Sequence, residues 1–300
     1  MNYRLCVMAI RVLLAILFSN SLAAQALTVR YPAVQDPYYS ARDVYFVKLL
    51  EMALSESKGE HQLQGIKYPS YSENRSVLFL KAGEYDVHWL NTTAEREAEV
   101  EPIKIPIYKG VIGWRAFFIK DGRQQEFDNT NNIEDLQKYV FVQGHDWADI
   151  DILKNSDLKV EVASNWTGLF KMIDLKRADI FPRSIIEIEE ENNKFGDGLI
   201  IENKIILQYP SAYYFFVNKS NLQLKTAIEN GLKAIVADGR FDRLFFDTIY
   251  PKIVDLEIEN RRVIKIDRPS LKASMPLENK ALWFSVDWFS WAKNKYIVNP

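Results

Sequence analysis

The stretch that decides the fold is Gly83-Glu-Tyr-Asp-Val-His-Trp-Leu-Asn-Thr-Thr-Ala-Glu-Arg-Glu-Ala-Glu-Val100. Gly83 is placed to end a preceding helix, and the run from Tyr85 to Leu90 predicts a strand. The polar turn Asn91-Thr92-Thr93 then leads into an acidic helix start that carries Arg96. A strand that ends in an amide, two hydroxyls and a guanidinium is suited to holding a polar molecule.

Strands and helices alternate ahead of this stretch. Leu27 to Pro32 predicts a strand, and apolar residues between Phe46 and Leu54 recur at helical spacing. His61 to Tyr68 alternates as a strand does, and Arg75 to Ala82 is again helical. This order predicts a parallel sheet flanked by helices, in which ligands bind beyond the carboxyl ends of the strands. The Asn91 turn and a loop containing Tyr39 both fall at that edge.

Two long β-rich passages predict two crossings between lobes. Ile103 to Lys120 is too long for one ordinary strand, and Ile205 to Val217 returns the chain after a second set of strands and helices. We therefore expect an α/β protein of two lobes, each a mostly parallel sheet flanked by helices. The predicted bounds are 27–117 and 209–256 for lobe 1, 118–208 for lobe 2, and 257–300 for a C-terminal extension packed on lobe 1.

The first 26 residues have the pattern of a secretory signal peptide. Arg4 and Arg11 precede an apolar run from Val12 to Phe18, and Ala24-Gln25-Ala26 forms a small-residue exit. The alternative is an uncleaved membrane anchor, but a bilayer span needs about 20 apolar residues. Cleavage after Ala26 would place the protein in the periplasm. The only cysteine, Cys6, lies inside this segment, so no disulfide is expected in the mature protein.

Composition narrows the function classes. Removing Arg4 and Arg11 from 38 basic residues leaves 36 against 40 acidic ones, a net charge of −4, and no basic tract suggests nucleic-acid binding. The three histidines, His61, His88 and His145, do not have the spacing of a zinc site. We expect a monomer with neither metal nor cofactor.

Gly83, Asp86, Thr93 and Arg96 match a G-x-x-D strand followed by a T-x-x-R turn. In this pattern the chain resembles the family 3 extracellular solute-binding proteins of bacterial ABC importers, in an atypical branch. The resemblance covers roughly Leu27 to Leu256 and includes further matches at Gly144-His145-Asp146, at Arg177 and Asp179, and at Ile235 to Phe241. It implies two lobes that close on a ligand whose carboxylate is received by Arg96.

The residues expected to contact ligand lie at turns and strand ends. They are Tyr39, Trp89, Asn91, Thr93, Arg96, Gly144, His145, Asp146, Arg183 and Ser184. Each has a structural alternative. Thr93 and Asp146 can cap helices, the latter a helix starting at Trp147, and Arg96 can pair with a nearby glutamate. Arg183 can pair within the run Glu187 to Glu191, which we expect to be a solvated helix face.

Ser184 stands where the amino-acid-binding members of the family have an aspartate for the ligand's ammonium group. The resemblance therefore implies a small anionic or amino-acid-like solute, with an extra acidic group favoured. Transport through an ABC permease is the leading function. A dehydratase-like enzyme on the same scaffold and a ligand-sensing module for a membrane receptor remain alternatives. The aromatic residues between Trp283 and Trp291 are expected to pack on lobe 1 or to contact a partner.

Overall fold

The computed structural model describes residues 27–35, 37–57, 59–68, 73–267 and 274–298, without the side chains of Val34 and residues 37–41. The predicted signal peptide, residues 1–26, lies outside the described residues. Within the described ranges, no helix combines the length and the apolar character needed to cross a membrane.

Twelve strands and nine α-helices make up the described chain. The strands are β1 Leu27–Val34, β2 His61–Tyr68, β3 Val87–Asn91, β4 Glu101–Ile103, β5 Trp114–Lys120, β6 Val140–Gly144, β7 Lys159–Ala163, β8 Phe181–Ser184, β9 Leu199–Ile201, β10 Ile205–Gln208, β11 Tyr213–Val217 and β12 Arg262–Lys265. The helices are α1 Pro37–Ser55, α2 Glu73–Ala82, α3 Ala94–Glu99, α4 Asp149–Lys154, α5 Trp166–Asp174, α6 Ile188–Phe195, α7 Leu222–Ala237, α8 Arg240–Ile253 and α9 Val286–Lys293.

The first lobe contains two small sheets. β1 pairs in parallel with β2, and β11 lies between β3 and β4, antiparallel to both. Arg30 of β1 joins the two sheets, because its Nε and Nη2 donate to both carboxylate oxygens of Asp86 at 3.0 and 2.7 Å. Helix α7 crosses α1 so closely that a Cβ on Gly231 would lie 1.8 Å from the carbonyl oxygen of Ala53.

The second lobe is built around β5. This strand pairs antiparallel with β8, β9 and β10, and β12 adds to the outer side of β10 in parallel. β6 and β7 form a parallel pair that joins the larger sheet through a bridge between Phe141 and Ile180. The carboxyl end of β6 and the end of β8 therefore lie on one edge of this lobe.

The predicted α/β class with two lobes is confirmed, whereas the strand pairing is more mixed than the sequence indicated. The parallel ladders are β1–β2, β6–β7 and β10–β12. The strands at the two crossings, β5 and β11, make antiparallel ladders with their neighbours. Each of these strands enters its lobe from the other one and lies antiparallel to the strands that it joins.

The sheets bear on the predicted bounds of the lobes, which stay predictions. The first, at 117/118, falls inside β5, which lies in the second lobe's sheet from Trp114 onward. The second, at 208/209, coincides with the end of β10. The extension 257–300 does not pack on lobe 1 alone, because its strand β12 pairs with β10 of lobe 2. The residues on both sides of position 117 are apolar, so their pattern does not indicate where the first lobe ends.

Candidate functional site

Arg96 occupies a buried position at the carboxyl end of β3. Thr93 caps helix α3 by accepting a hydrogen bond from the Arg96 backbone N–H at 3.2 Å, as the sequence predicted for a cap. The Arg96 side chain is only 5 % exposed; Nη1 donates to the Asn91 carbonyl at 2.6 Å, and Nη2 lies 2.5 Å from Glu73 Oε2. Among the described residues, Arg96 Nε has no hydrogen-bond partner.

The edge of the guanidinium that carries Nε and Nη2 is therefore half occupied. A carboxylate that binds this edge in bidentate fashion accepts from both nitrogens, whereas Glu73 reaches only Nη2. Glu73 is the first residue of α2 and its side chain is 31 % exposed, so it lies on the solvent side of the pair. Its Oε1 is also 3.5 Å from the Tyr213 hydroxyl.

Two residues of β3, the strand that precedes Arg96, make hydrogen bonds within the protein. Trp89 is buried and its indole N–H donates to Asp43 Oδ1 at 2.9 Å. The Asn91 side chain accepts from Ser211 Oγ at 3.0 Å, which ties the strand end to the second crossing. These contacts position the site, and they leave the indole and the side-chain carbonyl engaged within the protein.

Arg42 and Asp43 near the start of α1 extend the charged region, and the sequence did not single them out. Arg42 Nη2 lies 3.2 Å from Asp43 Oδ1. Burial lowers the pKa of Arg42, but Tyr213, Asp43, Tyr108 and Glu187 outweigh it and raise that pKa above its ordinary value. Burial raises the pKa of Asp43, against the effect of Arg42.

Glu187, a residue of the second lobe, interacts electrostatically with residues of the first lobe and its crossings. Burial has the largest effect on the pKa of Tyr213 and raises it, and the charges of Glu73 and Glu187 raise it further. Glu187 also acts on Arg42 and Tyr108. Since Glu187 follows β8 whereas these partners belong to the first lobe and its crossings, the two lobes face each other here.

The turn after β6 is organised by Trp147. A Cβ on Gly144 would lie 2.5 Å from the Trp147 ring, and the Trp147 backbone N–H donates to the Gly144 carbonyl at 3.1 Å. Helix α4 therefore begins at Asp149, with Ala148 as an N-cap that makes no side-chain bond. The prediction that Asp146 caps a helix starting at Trp147 is wrong. His145 is exposed, with Nδ1 4.0 Å from Asp146 Oδ1.

Arg183 forms the ion pairs that the sequence allowed as an alternative. Nε and Nη2 each donate to a carboxylate oxygen of Glu191 at 2.6 Å, and Nη2 lies 3.1 Å from Glu187. Its guanidinium carbon is 4.7 Å from the Trp147 ring centre. Glu191 is fully buried, so the prediction of a solvated acidic face is wrong at this residue. The edge that would receive a ligand anion is occupied by the chain's own carboxylate.

Ser184 is also enclosed by the protein. It is fully buried, and its hydroxyl donates to the Val111 carbonyl at 3.4 Å. Tyr39 lies within α1, but its side chain is outside the described residues. The structure thus gathers Arg96, Thr93 and Asn91 at one strand end, with Gly144, His145 and Asp146 in a turn of the other lobe.

His88 is a buried, neutral group beside this region. Burial lowers its pKa to about 3, and the positive charges of Arg42 and Arg96 contribute. Its Nδ1 has no hydrogen-bond partner among the described residues. Across that same part of the chain, no group of three histidine, cysteine, aspartate or glutamate side chains is arranged to hold a metal ion.

Solved structures with the same fold cover most of this chain. The probable amino-acid ABC transporter extracellular-binding protein of Bacillus subtilis is 16 % identical, with a TM-score of 0.55 over 75 % of this chain and 98 % of that one. An ancestral arginine-binding protein bound to glutamine is 17 % identical, with a TM-score of 0.53 over 74 % of this chain and 97 % of that one.

A third solved structure is similar to the same extent. The periplasmic VFT2 domain of Bordetella pertussis BvgS is 15 % identical, with a TM-score of 0.54 over 75 % of this chain and 94 % of that one. Protein-family profiles give no match to the chain, and curated protein sequences give no significant match. At these identities the likeness concerns the fold: the chain has the two-lobed fold of periplasmic binding proteins.

Proposed function

We propose that this protein is a periplasmic solute-binding protein that holds a small amino-acid-like solute between its two lobes. The observation that carries the proposal is the half-occupied guanidinium edge of Arg96, buried at a strand end where ligands bind in open α/β sheets. The ligand's carboxylate takes the Nε and Nη2 edge of Arg96 and displaces Glu73 from Nη2. The guanidinium fork suits a bidentate carboxylate.

The carboxylates around the cleft favour a ligand that also carries a positive charge. Glu73 and Glu187 have side chains 31 % and 13 % exposed, whereas Arg96 is 5 % exposed. The carboxylates are therefore more accessible than the central cation, and Glu73 can turn from Arg96 to the ligand's ammonium. Ser184 at the family's aspartate position no longer argues against an α-amino group, because Glu73 and Glu187 can supply the counter-charge.

The similar structures agree with this choice of ligand. They include proteins bound to or specific for arginine, glutamine, lysine or glutamate. We propose that lobe closure presents the solute to an ABC permease, and that residues 1–26 direct the chain to the periplasm and are removed. The intact mass of the exported protein tests that cleavage: loss of residues 1–26 supports it, and a retained N-terminus contradicts it.

A sensing module for a membrane receptor is the second candidate. Beside the BvgS domain, the similar structures include the GluR0 ligand-binding core from Nostoc punctiforme in complex with L-glutamate. Both functions need the same closing cleft. An enzymatic activity is not part of the proposal, and mass spectrometry of the incubated solute would reveal a product if one formed.

The test is a thermal-shift screen with L-arginine, L-glutamine, L-lysine, L-glutamate and succinate. A ligand at about 1,000 times its Kd stabilises by about 4 kcal/mol, which raises Tm by roughly 10 °C. Arg96→Ala is expected to lose the response. Arg243→Ala is the matched control, because Arg243 is exposed and pairs with Asp247 on α8. An unchanged response in Arg96→Ala would refute the site.

A further inference from the structure

The C-terminal segment contacts the first crossing between the lobes. The Phe284 backbone N–H donates to the Lys109 carbonyl at 2.6 Å, and the Phe284 ring meets the Trp114 ring edge to face at 5.1 Å. Lys109 Nζ donates to the Ala281 carbonyl and, at 2.8 Å, to Asp242 Oδ1 of α8. One short stretch of the crossing is thus held by main-chain, charged and aromatic contacts.

The crossing has an unusual backbone where these contacts occur. Lys109 and Gly110 both have positive φ angles, 47° and 69°, and a tight turn from Val111 to Gly113 follows. A residue with a side chain is rarely stable in this conformation unless its surroundings determine it. Hinges in two-lobed proteins are a few residues that absorb large changes of φ and ψ. This segment therefore combines a hinge position with external restraint.

Trp283 covers Gly110 directly. A Cβ on Gly110 would lie 2.3 Å from Cε3 of the Trp283 ring, so the ring lies where a side chain would otherwise be. The indole N–H donates to the Pro276 carbonyl at 2.8 Å, which fixes the ring's orientation. A change of backbone angle at Gly110 would have to move this ring.

The Lys109 side chain holds three parts of the chain together. It is fully buried, and its ammonium lies 5.2 Å from the Phe241 ring centre and 5.3 Å from that of Trp288. Burial lowers its pKa, and Asp242 counteracts this effect. A buried ammonium is costly unless its partners stay in place, so the crossing, α8 and the C-terminal segment are coupled.

The C-terminal segment is itself firmly attached to the first lobe. Phe289 of α9 is 1 % exposed, and its ring lies 6.4 Å from Phe246 and 6.0 Å from Tyr250 of α8. Earlier in the same extension, β12 pairs with β10 of the second lobe. The extension therefore contacts both lobes and the crossing that connects them.

We infer that residues 281–289 clamp the first crossing onto lobe 1 and restrain the backbone rotation at Lys109 and Gly110 that lobe opening requires. The clamp makes the C-terminal extension a regulator of the cleft. Its effect on ligand exchange rests on the proposed function, whereas the restraint on the crossing is a property of the protein without ligand.

Hydrogen exchange followed by mass spectrometry of the full chain tests the clamp. The amides of Lys109, Val111 and Gly113 donate to Pro106, Tyr108 and Gly110 within the crossing. Trp283→Ala is expected to accelerate their exchange at least 10-fold. Trp291→Ala is the matched control, since Trp291 lies on the same segment and is 45 % exposed; its exchange at the crossing should equal that of the wild type.

A second variant removes the contact that the crossing itself makes through the Lys109 ammonium. Lys109→Met removes the ammonium with little loss of volume, and it should also accelerate exchange at Val111 and Gly113. Unchanged exchange in folded Trp283→Ala, or in folded Lys109→Met, overturns the clamp. Ligand binding is measured separately: faster exchange in a protein that binds none of the screened solutes would support the clamp and refute the proposed function.

Discussion

Replacing Glu73 by glutamine separates the two roles that the structure gives this carboxylate. In the protein without ligand, Glu73 holds Nη2 of Arg96; with ligand, we propose that it faces the ammonium group. Glu73→Gln keeps a hydrogen-bond acceptor of the same size and removes the charge. It should therefore favour the binding of plain carboxylates at Arg96 relative to the binding of amino acids.

The magnitude follows from the geometry of the pair. Hydrogen bonds between charged groups contribute about 1 kcal/mol more than those with one neutral partner, and the 31 % exposure of Glu73 places the pair at the weaker end. A change of about 1 kcal/mol is roughly a five-fold change in Kd. Succinate should bind about five-fold tighter to Glu73→Gln. For L-glutamine the weaker competition at Arg96 and the weaker contact with the ammonium group offset each other, so its Kd should change less than about two-fold.

Isothermal titration of both compounds into wild type and Glu73→Gln measures the change. Glu99→Gln is the matched control, because Glu99 is an exposed acid that pairs with Lys81 rather than with Arg96. If succinate and L-glutamine both bind about five-fold tighter to Glu73→Gln, Glu73 does not exchange Arg96 for an ammonium group. No change for either compound would mean that Glu73 is outside the site.

Two further predictions concern stability. Glu191→Leu should lower the free energy of unfolding by about 3 kcal/mol in urea titrations, because it leaves the buried Arg183 guanidinium with Glu187 as its weaker acidic partner; a loss below about 1 kcal/mol would contradict a structural role for the pair. When the pH falls from 7 to 5, the free energy of unfolding of the wild type should fall by about 2 kcal/mol more than that of His88→Phe, because the pKa of His88 is lowered to about 3.

The sign of the His88 effect comes from proton binding. The unfolded chain binds a proton at this histidine below about pH 6.5, whereas the folded protein does not until about pH 3. Stability is therefore lost as the pH falls from 6.5 towards 3. His145→Gln is the control, since His145 is exposed. Equal pH dependence in wild type and His88→Phe would show that His88 titrates normally in the folded state.

The sequence predicted the lobes and the Arg96 turn because both depend on local patterns. Gly83 ends α2 with a φ of 73°, Thr93 caps α3, and Leu224 to Val236 lies within α7. Apolar spacing and capping residues act within a few positions of one another, so they can be read along the chain.

The charged partners of the site could not be predicted in the same way. Glu73 precedes Arg96 by 23 positions, and Arg42 and Glu187 come together only when the lobes face each other. For Arg183 the partner is close in sequence, since Glu191 follows it by eight positions. The full burial of Glu191, however, depends on tertiary packing. Pairing between distant charges is set by the fold, and no periodicity reports it.

The extension also depended on tertiary structure. Its aromatic residues predicted packing on the first lobe, and the rings of Phe289 and Phe246 meet there. Nothing in the spacing of Arg262 to Lys265 indicated that this strand would join β10 on the other lobe. A four-residue strand carries too short a pattern to specify its partner.

The most direct test of the central claim compares Tm in the presence of amino acids for wild type, Arg96→Ala and Arg243→Ala. We predict that at least one of L-arginine, L-glutamine, L-lysine and L-glutamate raises the Tm of wild type and Arg243→Ala by several degrees. The same compound should leave Arg96→Ala unchanged. A flat response in wild type, or an equal rise in Arg96→Ala, would contradict the claim that Arg96 receives the carboxylate of an amino-acid-like solute.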